Sequence, residues 1–328
     1  MRRREFITLL GGATATWPIV ARAQQPTMPV VAFLRVGSPD ANTGLVTAFR
    51  KGLSEMGYVE GQNVLVEYHW VEGQYERLKV VFDDLKQRRV AVIAIPGSTP
   101  ISLAAKAAIT TIPIVFGVGE NPVTLGLVTS LSHPGGNATG FNFFSIETDA
   151  KRLELMHALL PKATRVAALI NPANVRYTEA TSKSLREAAR TLGLEIVFFN
   201  ASTTAEIDSA FAAIARERAD ALFIASEAFF ASRGVQLATL AARDRMPASF
   251  TGRELAKAGL LMSYGTSITD MARQVGIYTG SILKGAKPAD LPVIQATKFE
   301  FIINLQTARS LGIEVPPMLL ARADEVIE

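Results

Sequence analysis

The stretch that decides the fold is VVAFLRVGSPDANTGLVTAFRKGLSEM, residues 30–56. It opens on a short apolar run and continues through turn-forming residues into a segment where Leu45, Phe49, Leu53 and Met56 recur at spacings of three and four. A nearly continuous apolar run is typical of a strand whose sheet is covered on both faces. The spacing of three and four is typical of one face of a helix. The stretch therefore predicts a strand, a loop and a helix, in that order.

The same alternation recurs along the chain in two series. Further apolar runs lie at 64–68, 90–95 and 112–116, and then at 166–170, 194–199, 221–225 and 247–250. Alternation of strands and helices makes parallel, doubly wound sheets. The sequence thus predicts an α/β protein with two doubly wound parallel-sheet lobes, joined by a multi-strand hinge, with a ligand cleft between the lobes.

The predicted boundary between the lobes is the turn-rich segment Ser132–Asn137. The strand–helix pattern resumes near Leu260 with too few residues for a third domain, so we expect this part to revisit both lobes. Lobe 1 is predicted at 28–137 plus 262–290, and lobe 2 at 138–261 plus 291–328.

An export signal is predicted at residues 1–23. A charged head, Arg2–Phe6, precedes an apolar stretch too short to span a bilayer and a small-x-small cleavage site formed by Ala21 and Ala23. Arg3 and Arg4, followed by x-Phe-Ile, resemble a twin-arginine signal. General secretion and an amphipathic N-terminal helix are the alternatives. With cleavage after Ala23, we expect a periplasmic protein.

The export signal carries most of the excess positive charge. The 328-residue chain has 34 Lys+Arg and 30 Asp+Glu, and residues 1–23 hold four of the basic and one of the acidic residues, which leaves +1 for the remainder. That balance argues against a nucleic-acid partner. Zero cysteines and three histidines argue against metal centres and disulfides. No apolar stretch of 18 residues follows the signal, so we expect membrane contact only through a partner.

Small and polar residues follow the predicted strands, where open α/β sheets bind their ligands. The candidate ligand-binding residues are Ser38, Ser98, Thr99, Glu120, Asn121, Asn171, Ser226, Glu227, Arg253 and Tyr264. Exposed N–H groups at helix starts attract carboxylates, although Ser, Thr and Asn at such positions also simply cap helices. Taken together, these loops favour a small polar ligand.

The charged and aromatic candidates suggest what that ligand contains. Arg253 is suited to clamp a carboxylate and Glu227 to hold an ammonium, and an ion pair at the surface or between the lobes is the alternative. Tyr264 and Phe229 would stack on an aromatic ligand, or else belong to the core.

Catalytic motifs are absent from the sequence. GxSxG, HExxH, the P-loop and GxGxxG do not occur, and His69, His133 and His157 read as structural residues. We therefore expect no enzyme activity, no cofactor and no bound metal.

Several runs in the last third of the chain carry a family resemblance. They are LMSYG at 261–265, ILKGAKPADLPV at 282–293, KFEFIINL at 298–305 and LARADEVIE at 320–328. With Arg2–Phe6, they resemble the substrate-binding proteins of ABC transporters, in the group that includes tryptophan- and tyrosine-binding members. The resemblance implies a type I periplasmic binding fold and delivery of a solute to a membrane permease. The chain departs from that group at 119–122, Gly-Glu-Asn-Pro, where a Gly-Asp-Pro-Val-like turn is expected.

The leading hypothesis is a solute receptor whose lobes close on a small amino-acid-like or aromatic carboxylate solute and then dock on an ABC permease. A twin-arginine-exported enzyme and a periplasmic ligand sensor without a transport role are the alternatives. A ligand-controlled transcription regulator would need a DNA-binding domain before the first strand, and the predicted export signal contradicts a DNA target.

Overall fold

Short apolar runs form the strands of two sheets in the computed structural model, which describes residues 28–72 and 74–328. The predicted export signal lies outside the described residues. The strands are β1 (Val30–Arg35), β2 (Leu65–Trp70), β3 (Val92–Ile95), β4 (Ile114–Val118), β5 (Ala138–Asn142), β6 (Arg165–Ile170), β7 (Glu195–Asn200), β8 (Ala221–Ile224), β9 (Ala248–Phe250), β10 (Met262–Thr266), β11 (Ile294–Gln295), β12 (Phe299–Asn304) and β13 (Glu325–Ile327).

Helices connect most of these strands, as the alternating pattern predicts. They are α1 (Thr43–Glu55), α2 (Leu78–Arg88), α3 (Thr99–Ala108), α4 (Ser145–Leu159), α5 (Val175–Leu192), α6 (Thr204–Arg216), α7 (Ala228–Ser232), α8 (Gly234–Arg243), α9 (Arg253–Lys257), α10 (Ile268–Leu283), α11 (Leu305–Leu311) and α12 (Pro317–Leu320). Short 3-10 helices occur at Asp40–Asn42, Tyr75–Arg77 and Pro288–Asp290.

Two separate sheets confirm the predicted α/β fold with two doubly wound lobes. In the described part of the chain, the first sheet has six strands in the order β11-β5-β4-β3-β1-β2, all paired in parallel. The second has seven, in the order β13-β12-β10-β9-β8-β6-β7, and β12 runs antiparallel to β10. Parallel pairing puts the carboxyl ends of neighbouring strands at one edge of each sheet, which is where the candidate residues were expected.

Each sheet is packed on both faces. In β1, Ala32 and Leu34 belong to one buried apolar cluster and Phe33 to another. In β6, Leu169 belongs to one buried apolar cluster and Ala168 to another. Successive side chains of a strand point to opposite faces, so each lobe is a sheet between two helical layers.

The chain crosses between the lobes three times within the described ranges, at 143–144, at Ser267 and at 296–298. The predicted lobe boundaries need correction. Strand β5 pairs with β4 in the first sheet, so lobe 2 does not begin at 138. Strand β10 pairs with β9 in the second sheet, so the return to lobe 1 begins after Thr266 rather than at 262, and β11 still belongs to the first sheet.

The wrong boundaries have a physical reason. Strand β5 has the sequence ATGFN, whose Thr, Gly and Asn do not form an apolar run, and the turn before it at 132–137 lies within lobe 1. The first crossing consists of Phe143 and Phe144, without the glycine or proline that marks a linker. Strand β13 pairs with β12, which makes it an edge strand of the second sheet.

Across residues 28–72 and 74–328, none of the helices has the length and apolar character that a bilayer crossing requires.

Candidate functional site

Five of the predicted ligand-binding residues meet in one narrow space between the lobes. Ser98, Thr99 and Glu120 come from lobe 1, and Ser226 and Glu227 from lobe 2. These residues, with Gly97, Tyr177 and Asn174 among the other wall residues, enclose about 30 Å³, room for one or two water molecules. We call this space the carboxylate gap.

Ser98 and Thr99 reach the carboxylate gap because helix α3 begins directly after β3. The Oγ of Ser98 accepts a hydrogen bond from the Ile101 N–H at 3.5 Å, so Ser98 is the N-cap of α3. Thr99 donates through Oγ1 to Oε2 of Glu120 at 2.5 Å. Ser98 therefore caps a helix, as one alternative proposed, and it also lines the carboxylate gap.

Glu120 is a buried carboxylate with an unused acceptor. It is 8% exposed, and its Oε1 has no hydrogen-bond partner among the described residues, whereas Oε2 accepts from Thr99. Burial raises the pKa of Glu120, and the nearby charge of Glu227 raises it further. An unpartnered buried acceptor is costly, so this oxygen favours a donor brought in from outside.

Glu227 lies across the carboxylate gap on the other lobe and is 5% exposed. Its Oε2 accepts hydrogen bonds from the Phe229 N–H at 2.6 Å and from Nδ2 of Asn171 at 3.3 Å. Burial raises the pKa of Glu227, and these hydrogen bonds oppose the rise. Two carboxylates with raised pKa values facing one space are suited to a cation such as an ammonium.

A second interlobe space, of about 330 Å³, contains residues of both lobes and of the second crossing. Asp40 and Leu45 line it from lobe 1, Phe250 and Leu255 from lobe 2, and Ser267 from the crossing. Pockets for small ligands begin near this size, at about 300 Å³. We call this space the large cavity.

Arg35 lies at the end of β1 and lines the large cavity, and it was not among the residues predicted from the sequence. It is 5% exposed, and it donates through Nε to Oδ1 of Asn42 at 3.0 Å and through Nη1 to the carbonyls of Pro96 and Gly97. Burial lowers its pKa to about 10, so it stays charged at neutral pH. The available signal was an arginine placed between Leu34 and Val36, at the end of an apolar run.

The other polar candidates lie outside the carboxylate gap. Ser38 is half-buried, and its carbonyl accepts from Asn42. Asn121 is exposed, and its Oδ1 accepts from the N–H groups of Val123 and Thr124, so it caps its own turn. Asn171 is buried and holds Glu227, which makes it a supporting residue.

Arg253, Tyr264 and Phe229 have structural partners. Arg253 lines the large cavity but pairs through Nη2 with Oε2 of Glu325, an ion pair within lobe 2. The Tyr264 ring stacks on Phe299 with 6.3 Å between centroids. Phe229 is buried in the core of lobe 2. These contacts agree with the structural alternatives for all three residues.

No group of three or more metal-ligating side chains occurs in the part of the chain that the structure describes. The arrangement is that of two lobes around a polar and partly apolar cleft, with buried charges of both signs that face it. Such a cleft is suited to holding a small charged molecule and excluding water from it.

Proteins of known sequence and structure are similar to this chain. A curated relative, a tyrosine-binding protein of Clostridioides difficile (strain R20291), is 26% identical over 268 residues, which are 81% of this chain and 76% of the relative. A conserved domain protein of Vibrio cholerae of known structure is 28% identical with a TM-score of 0.81, and the alignment covers 91% of this chain and 99% of that one.

A further solved structure, an ABC domain of Streptococcus pneumoniae in complex with L-Trp, is 24% identical with a TM-score of 0.80 and the same coverage, and it shows that the fold is of the type I periplasmic binding class. The family profile described as ABC transporter substrate binding protein matches residues 30–327. The chain therefore belongs to the ABC transporter substrate-binding protein family.

Proposed function

We propose that this chain is the extracytoplasmic solute-binding component of an ABC importer, and that it binds an amino-acid-like solute between its lobes and delivers it to the permease. The observation that carries the proposal is the unpartnered, buried Oε1 of Glu120, which faces Glu227 across the carboxylate gap. The named ligands of similar proteins, tyrosine and L-Trp, contain an ammonium that would supply the missing donor.

The charges of the cleft support a zwitterionic solute. Glu120 and Glu227 supply two carboxylates at the carboxylate gap, and Arg35 supplies one guanidinium next to it. An ammonium between the two carboxylates would lower both pKa values by direct attraction. A neutral or purely anionic solute would leave the two buried carboxylates without a partner.

The large cavity supports a solute with a sizeable apolar side chain. Its walls include Phe250, Leu255 and Ile268, and its volume of about 330 Å³ exceeds what the carboxylate gap offers by a wide margin. Burial of an aromatic ring there would add a hydrophobic contribution to the polar contacts at the carboxylate gap.

The first experiment is native mass spectrometry of the protein purified without refolding, before and after mild denaturation. A released amino acid supports the proposal, and titration calorimetry with L-tyrosine and L-tryptophan then measures affinity. We expect Glu120→Gln and Glu227→Gln each to weaken binding about 10- to 100-fold, since a hydrogen bond to a charged group contributes about 1.5–3 kcal/mol.

Glu195→Gln is the matched control, because Glu195 is an exposed carboxylate that pairs with Arg165 on the surface. Its affinity for the solute should equal that of the wild type. Unchanged affinity in both Glu120→Gln and Glu227→Gln would remove the carboxylate gap from the site. A released redox cofactor instead of a solute would refute the receptor function.

The periplasmic location rests on the predicted signal at 1–23. Replacement of both Arg3 and Arg4 by lysine should stop accumulation in the periplasm if export follows the twin-arginine route. Normal accumulation of that variant would instead identify general secretion.

A further inference from the structure

Arg35 is a buried cation without a carboxylate partner. None of the ion pairs within residues 28–72 and 74–328 includes it, although it is 5% exposed. Its contacts are an amide oxygen of Asn42 and two backbone carbonyls. Glu227 lies near enough to attract Arg35 but forms no ion pair with it. A buried charge without a directly paired counter-charge is costly, and a protein rarely accepts that cost without a use for the charge.

The guanidinium has donors left over. Nε and Nη1 are engaged, whereas no hydrogen bond within the described ranges uses Nη2. The engaged nitrogens fix the orientation of the planar group, because three acceptors on two chain segments hold it. Arginine holds its donors in a rigid planar group, so the orientation of Nη2 is fixed. Nη2 can therefore donate a charge-assisted hydrogen bond to a carboxylate.

The position of Arg35 joins the two spaces of the cleft. Its side chain lines the large cavity, and its Nη1 donates at 2.6 Å to the carbonyl of Gly97, which lines the carboxylate gap. Opposite charges therefore meet at one point of the cleft, with two carboxylates on one side and a guanidinium on the other. An α-amino acid carries its ammonium and its carboxylate on one carbon, so it matches this adjacency.

The other cation on the large cavity is engaged elsewhere. Arg253 is about one-third exposed and pairs with Glu325, so its charge is already balanced. A ligand carboxylate at Arg253 would have to displace that carboxylate, whereas at Arg35 it would meet unused donors.

We propose that Arg35, rather than Arg253, binds the carboxylate of the solute and makes the site select α-amino acids over the corresponding amines. This inference rests on the proposed function, since it assigns the second charged group of the same solute. The side chain of the solute then extends into the large cavity, and its ammonium lies in the carboxylate gap.

The test compares ligands that differ only in the carboxylate, L-tyrosine against tyramine and L-tryptophan against tryptamine, by calorimetry. We expect the wild type to favour the amino acid about 10- to 100-fold. Arg35→Met should reduce this preference to within about threefold. The ratio is measured within one variant, so it does not depend on the fraction of protein that is folded.

Two further variants keep the result decisive. Arg35→Lys keeps the positive charge but not the planar guanidinium group, and we expect an intermediate preference for the amino acid. If Arg35→Met does not fold, an unchanged preference in Arg35→Lys overturns the proposal. Arg165→Gln, on the outer surface, should keep the full preference. Loss of the preference in Arg253→Met but not in Arg35→Met also overturns the proposal, because it returns the role to Arg253.

The outcomes separate this inference from the proposed function. Equal binding of amino acid and amine by the wild type overturns the role of Arg35 and leaves an amine-binding receptor. Binding of 3-(4-hydroxyphenyl)propionate, which lacks the ammonium, should depend on Arg35 and not on Glu227. If the wild type binds none of these probes, the amino-acid class fails, and the assignment of Arg35 fails with it.

Discussion

At the scale of single residues, we expect the carboxylate gap to make stability and binding respond to pH in opposite directions. Burial raises the pKa of Glu120 and of Glu227 above the ordinary value of 4.5. The folded protein then holds these protons more tightly than the unfolded chain does. The free energy of unfolding of the unliganded protein should therefore fall as pH rises from about 4.5 through the raised pKa values.

Binding of an ammonium should strengthen over the same range, because it requires the ionised carboxylates. Chemical denaturation and calorimetry from pH 4.5 to 8 would measure both trends. The double variant Glu120→Gln and Glu227→Gln should lack both pH trends. Burial also raises the pKa of Asp149, and subtracting the variant's pH dependence from that of the wild type removes the contribution of such other groups. Affinity that falls with rising pH would contradict an ammonium in the carboxylate gap.

Arg152 is a second buried charge near the site, and its role is in stability. It is fully buried with Asp149, donates through Nη2 to the carbonyl of Ile224 at 2.9 Å, and lies 3.8 Å from the Phe223 ring centroid. Ile224 ends β8, two residues before Ser226, so Arg152 supports the strand end that carries Glu227.

Arg152→Ala should lower the free energy of unfolding by about 3–5 kcal/mol, because it leaves Asp149 buried without its partner. Arg186→Ala is the control: this arginine is exposed and lies over the Phe198 ring at 4.6 Å, a contact that contributes about 0.5–1 kcal/mol. Urea unfolding of both variants checks the difference. Similar losses in the two would show that the buried pair contributes little.

At the scale of elements, α1 and α10 pack so closely that their backbones meet. A Cβ on Gly276 would collide with the carbonyl oxygen of Phe49, and a Cβ on Gly52 with that of Arg273. Helix α10 follows the second crossing, so this contact anchors the returning chain on lobe 1.

Gly276→Ala should therefore destabilise the protein by about 1–3 kcal/mol, the usual cost of overpacking, even though alanine favours a helix. Gly44→Ala, in α1, should stabilise by up to about 1 kcal/mol, because a Cβ there meets nothing within 4 Å. Thermal and urea unfolding would measure both. A stabilising Gly276→Ala would show that the helices separate at little cost.

The elements that the sequence predicted best are those whose residues carry their own signal. Strand β8 is apolar throughout and β1 is apolar up to its last residue, Arg35, and a continuous apolar run identifies a strand without reference to the rest of the chain. Strand β5 is held by its neighbours β4 and β11 rather than by its own composition, so no local pattern could reveal it. The errors in the lobe boundaries followed from that strand, from β10 and from β11.

The residues of the candidate site likewise include some that a local sequence pattern reveals and some that it does not. The positions of Glu120 and Glu227 at the cleft were predictable because they come two and three residues after the ends of β4 and β8, and parallel sheets gather such residues at one edge. Arg35 was not, since its orientation depends on carbonyls of Pro96 and Gly97, 61 and 62 residues away. The Glu325 partner of Arg253 is similarly remote, 72 residues along the chain. Contacts at such separations exist only once the fold has formed.

At the scale of the whole molecule, the crossings between the lobes in the described part of the chain are held to one another by hydrogen bonds. Thr266, the residue before the second crossing, donates through Oγ1 to the carbonyl of Phe143 in the first crossing at 2.8 Å. The Ala296 N–H, in the third crossing, donates to the carbonyl of Asn142 at 2.9 Å. Each lobe has cores of its own on both faces of its sheet, so relative motion requires changes only at the crossings. A cleft between such lobes is expected to close on its solute as a hinge.

The described conformation has the lobes in contact at Gly37 and Ser232, where a Cβ on Gly37 would lie 2.8 Å from that of Ser232. Ser232→Phe should act as a wedge, because the ring has no space between the lobes when the cleft is closed. At saturating L-tyrosine or L-tryptophan, whichever binds, small-angle X-ray scattering should show a smaller radius of gyration for the wild type and little change for this variant. Val235→Phe is the control, since Val235 is 78% exposed on α8 and should not affect closure. Full contraction of Ser232→Phe on binding would mean that the closed state does not need this contact, and solute capture would then have to be explained without close approach of the lobes at this point.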